Sequence, residues 1–175
     1  MAITTKSKLL DASLNKSSET LFDNIADSVV LQEVKLIGAG AGQTLSAADS
    51  GKTIVFKDAE ATLIKLPEPQ LGMTFHFVSA ITATGDHEIQ ALNDGHGFVG
   101  SVSIVSTTAA KSANFAAAAN GSNDFITMNG GTTGGAAGSF VTCRAILGAS
   151  AAKAWLVNGV LAGVGSTMAT PFANS

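Results

Sequence analysis

After residue 42 the chain breaks into apolar runs of four to nine residues, and that punctuation decides what it can become. The runs are Thr53–Phe56, Ala61–Leu66, Met73–Val78, Phe98–Val105, Phe125–Met128, Ser139–Leu147 and Ala154–Leu161, rich in β-branched residues and Phe. Their length and alternation fit strands and are too short for stable helices. Between them stand Asp49-Ser-Gly51, Gly85-Asp86, Asn93-Asp-Gly95, Asn120-Gly121, Asn129-Gly-Gly131 and Asn158-Gly159, where Gly and Asn accept the positive φ of tight turns. Leu66-Pro67-Glu68-Pro69 must end a strand, because proline donates no ladder hydrogen bond. The expected fold is mainly β: an antiparallel β-sandwich or jelly-roll-like barrel with an N-terminal extended or partly helical arm.

The arm is expected at residues 1–37, which hold nine of the 23 charged residues and no glycine. Within it Phe22, Ile25 and Val29 recur at helical spacing beside Leu21. About three turns of helix are marginal alone in water, so this stripe needs a partner surface. An extended arm would need the same support. Leu9, Leu10, Leu14, Leu21, Phe22, Ile25 and Val29 are the candidate partner-binding residues. Gly38-Ala-Gly-Ala-Gly42 reads as a hinge, and residues 43–175 as the β domain. Ser106–Asn123 and Asn129–Gly138, rich in Ala, Gly, Ser and Thr, read as long loops whose near absence of charge suits contacts around a threefold axis. Trp155 and Phe75 are expected in the core.

Charged residues make up 13% of the chain, well under the roughly 25% of an ordinary soluble domain, which suits packing against neighbours. A net charge of −3 with scattered lysines argues against nucleic-acid binding. No apolar run approaches the roughly 20 residues of a membrane helix, and no signal-peptide core follows Lys6 and Lys8, so synthesis in a cytoplasm is expected.

Several motifs imitate chemistry. Gly38-Ala-Gly-Ala-Gly42 puts Gln43 where a dinucleotide-binding turn needs its third glycine. Ser46 to Thr53 ends like a phosphate-binding loop, yet Ser46 replaces its first glycine and a strand follows where a helix must open. His76, His87 and His96, even with Glu88 or Asp94, match no metal-ligand spacing, and His76 should face away from Phe75 and Phe77. Cys143 is the only cysteine, which excludes an intrachain disulfide and suits a small buried residue. No nucleophile elbow is present, and Asp58, Glu60, Glu68, Asp86, Glu88, Asp94 and Asp124 suit strand ends and loops. The expectation is a non-enzymatic protein with no cofactor and no metal.

Leu45-Ser-Ala-Ala-Asp49-Ser-Gly51-Lys-Thr-Ile-Val-Phe56, Ile64-Lys-Leu66-Pro67, Gly72-Met-Thr-Phe75-His-Phe77-Val78 and Trp155-Leu-Val-Asn158-Gly159 together resemble a pattern recurrent in bacteriophage virion proteins. The resemblance spans Gln43 to Leu161; it departs before the closing Trp, where Gly148-Ala-Ser-Ala-Ala-Lys153 replaces a more polar turn. It implies a capsid decoration or cement protein on the outer surface of the virion, a homotrimer whose partner is the major capsid protein. A head-fibre or tail-fibre subunit is the alternative, and a carbohydrate-binding module ranks below both.

Overall fold

The computed structural model describes residues 33–148 and 152–174. The β prediction holds: two sheets pack face to face as a sandwich. The strands are β1 (Val34–Ile37), β2 (Gly40–Thr44), β3 (Thr53–Phe56), β4 (Thr62–Lys65), β5 (Thr74–Ser79), β6 (His87–Gln90), β7 (Phe98–Ser106), β8 (Ser112–Ala116), β9 (Phe125–Met128), β10 (Phe140–Leu147), β11 (Lys153–Gly163) and β12 (Phe172–Ala173). Seven form one sheet in the order β1-β3-β5-β10-β11-β7-β8, and five the other, β12-β9-β6-β4-β2.

The sheets are mixed, where an antiparallel sandwich was expected. In the first half the chain alternates between sheets, so that β1, β3 and β5 stack in parallel on one side and β2, β4 and β6 on the other. Equivalent positions Val34, Thr53 and His76 lie 19 and 23 residues apart, so each circuit is a rung of unequal length. The stack then stops, because β5 pairs antiparallel with β10 and β6 antiparallel with β9.

Two expected boundaries move. The second structural unit begins at Val34, so the last four residues assigned to the arm form an edge strand, with Ile37 only 1% exposed. The glycine hinge is largely β2. Gly40 and Gly42 take φ of 127° and 82°, which lets the backbone leave one sheet and enter the other within a few residues, with a register shift between Gly40 and Gln43.

The loop expected at 106–123 contains β8, an edge strand whose Phe115 packs against the core. The loop at 129–138 forms, but it folds back onto its own domain. Asn129 Oδ1 accepts from the Gly131 and Thr133 amides at 2.9 and 3.1 Å. Ser139 Oγ accepts from the amides of Gly135 and Ala162, tying the loop to β11. A Cβ on Gly134 would stand 2.4 Å from Leu161 Cβ, so close backbone approach accounts for the glycine content there.

Strand alternation sets the core. Phe56, Phe75, Phe77, Val141, Cys143 and Trp155 face inward from the large sheet, toward Ile64, Ile89 and Ile126 of the small one. Trp155 and Phe75 are both fully buried, as expected, with ring centroids 5.6 Å apart. Burial pushes the Cys143 thiol far up, leaving it a neutral packing residue. His87 also faces inward, stacked on Phe56 at 4.6 Å, and its Nε2 donates to the Asp58 carbonyl at 2.9 Å. Burial lowers its basicity, so the ring is neutral in the core.

Candidate interaction surface

The two outer faces of the sandwich differ in chemistry. On the small sheet, neighbouring strands present Leu63, Glu88 and Thr127 in one row and Thr44, Lys65, Gln90 and Phe125 in the next, and none of its strands carries an exposed large apolar side chain. The strands of the large sheet carry seven: Val34, Leu36, Val105, Phe140, Leu147, Leu156 and Val160.

Register aligns several of them. Leu36 pairs with Val55, Val55 with Val78, Val78 with Phe140, and Phe140 with Val160. Five apolar side chains from five strands therefore lie side by side on the outward face. At the usual strand spacing the row is about 19 Å long. Leu36 and Phe140 are 62% and 48% exposed, whereas Val55 and Val78 are half-buried between their neighbours. The strip is thus a continuous apolar band on the outward face of the large sheet.

Beside the strip the face turns polar. The next row along the strands is Thr53, His76, Thr142, Asn158 and Ser101, with Thr74, Arg144 and Leu156 beyond it. All of these but Thr53, with Gly100 and Val157, line an open depression of about 540 Å³. His76 Nδ1 lies 3.1 Å from Thr142 Oγ1, which orients the imidazole on this face, away from Phe75 and Phe77.

The Asp49-Ser-Gly51 segment is the turn before a strand that the sequence suggests. A 3-10 turn at Ala47–Asp49 leads to Gly51, at φ 87°, and then to β3. Asp49 is 7% exposed and accepts from the Ser46 amide and hydroxyl at 3.0 and 3.1 Å. Lys35 Nζ sits at 3.0 Å and Lys52 Nζ at 3.4 Å, so the carboxylate pins β1 to the lead-in of β3. Burial alone would raise its pKa, but the Ser46 amide, Lys35 and the Ser46 hydroxyl outweigh burial and hold it at about 2.

The candidate arm residues Leu9, Leu10, Leu14, Leu21, Phe22, Ile25 and Val29 lie outside the described residues. The strip on the large sheet was not singled out in the sequence. Its signal was present in Ile54-Val-Phe56, where both strand parities are apolar, as in a strand covered on both faces. No protein-family model and no curated protein matches this chain.

Proposed function

We propose that the chain is a structural protein of a bacteriophage particle, a capsid decoration or cement subunit that attaches to the major capsid protein and associates with its own copies, as a trimer, on the outside of the shell. The observation that carries this reading is the one-sided chemistry of the sandwich: a five-residue apolar strip on one outer face and a mainly polar surface on the other. Such sidedness suits a subunit that buries the strip against a neighbour and leaves the small-sheet face, and the polar rows beside the strip, in solvent. The low charge content and the phage-like sequence pattern support the same reading. The apolar arm residues, Phe22 and Ile25 among them, serve as the anchor to the shell.

A head-fibre or tail-fibre subunit is the second reading. Stacked parallel rungs are the one feature that favours it, since such rungs can build elongated rods. Here β10 and β9 end the stack after three circuits, which favours a compact decoration unit.

The test uses emptied, expanded shells and the purified full-length protein. Wild type should be oligomeric by light scattering and should co-sediment with shells. Phe140→Asp, at a half-exposed position, should dissociate the oligomer without changing the circular dichroism spectrum, and Phe22→Asp with Ile25→Asp should weaken shell attachment. A wild-type protein that is a stable monomer at micromolar concentration, or that ignores the shells, would overturn the proposal.

A further inference from the structure

We infer that the depression around Arg144 binds a carboxylate-bearing sugar residue, such as a uronic acid of a surface glycan. The inference is independent of the particle on which the chain resides. Arg144 is the only arginine in the chain and stands on β10, the central strand of the seven-stranded sheet, at the outward side. It forms no ion pair among the described residues, and no Asp or Glu lines the depression. An unquenched guanidinium on a rigid strand offers a preset fork for a planar carboxylate, which accepts two parallel N–H bonds.

What surrounds Arg144 selects among carboxylates. Thr142, Ser101 and Thr74 present hydroxyls, Asn158 a carboxamide and His76 an imidazole, all on the same face of the depression. That set both donates and accepts, as the hydroxyls of a sugar ring require. A simple anion would leave most of it unused. A polypeptide side chain would be served better by the apolar strip on the far side of Thr142.

Leu156, 39% exposed and directly opposite Arg144, gives an apolar patch for the C–H face of a pyranose. Gly100 on β7, at φ 111°, adds no side chain to that flank, and a Cβ there would meet the Val157 carbonyl at 2.3 Å. The depression, about 540 Å³, falls within the range typical of small-ligand sites.

The experiment is a ligand-observed NMR titration of the full-length protein with glucuronate, glucose and acetate. Glucuronate should bind saturably, with glucose and acetate each weaker by about tenfold or more, the equivalent of one good polar contact. Arg144→Gln should weaken glucuronate by a similar factor while leaving the melting temperature unchanged, since its side chain is exposed, and Asn158→Ala should weaken it less. Four outcomes would overturn the inference: no saturable glucuronate binding, acetate binding as tight as glucuronate, glucuronate binding unaffected by Arg144→Gln, or dissociation of the oligomer by Arg144→Gln. The third places any bound sugar elsewhere, and the last makes the depression a protein contact.

Discussion

Cutting the chain before Val34 removes none of the described strands, whereas cutting it before Gly38 removes β1 whole. The two truncations differ by four residues, and both lack the same N-terminal segment, so their difference isolates one strand. Ile37 is 1% exposed, and its burial contributes roughly 1.5–3 kcal/mol. The parallel ladder to β3, with the Lys57 amide donating to the Ile37 carbonyl, adds about 1 kcal/mol net, because the freed edge of β3 regains water. Loss of Lys35 also leaves the sunken Asp49 with one cation fewer. The shorter protein should therefore be less stable by about 3–5 kcal/mol, or about 10 °C in melting temperature for a domain of this size. Circular dichroism melts of both proteins at one concentration measure it. Transitions within about 2 °C of each other, the shift from about 1 kcal/mol or less, would refute the placement of β1 and restore a free hinge at Gly38–Gly42.

Trp155→Ala empties the space beside Phe75 in a fully buried core and should cost about 3–5 kcal/mol by urea unfolding; a loss under about 1 kcal/mol would show that the indole carries little packing. The Asp49 carboxyl is held below its ordinary value, so its stabilisation is present above about pH 4 and fades as pH falls toward about 2. Asp49→Asn should accordingly destabilise the protein by about 1–2 kcal/mol at pH 7 and by almost nothing at pH 2, as unfolding at the two pH values will report.

The strands with strong alternation were legible. Thr53–Phe56 and Phe125–Met128 coincide with β3 and β9, because Ile54, Phe56, Ile126 and Met128 alternate without interruption between clear turns. The strands that escaped lack that signal. β2 is Gly-Ala-Gly-Gln-Thr, β8 presents small residues around one Phe, and β6 spends one of its two inward positions on His87. Pairing direction was not legible either. Turn residues mark where a strand ends but not which sheet the chain enters next, and rungs of 19 and 23 residues leave no fixed period to find. The apolar strip fared worst, since Leu36, Val55, Val78, Phe140 and Val160 each look like an ordinary strand residue and become a surface only through the register of five strands.

The topology imposes an order on folding as the chain leaves the ribosome. The six strands of the stacked rungs pair with neighbours about 20 residues away, so they can assemble in the order of synthesis. β7 cannot follow them. Its partner on one side is β8, but its nine-residue parallel ladder on the other side is to β11, where Phe98 waits for Trp155. Until that late strand emerges, β7 and β8 form a hairpin with an open edge and a row of unsatisfied apolar side chains, among them Phe98, Val102 and Ile104. Closure of the large sheet, when β10 and β11 enter between β5 and β7, is thus the most non-local event in folding, and the interval before it is when nascent copies are most exposed to pairing with one another.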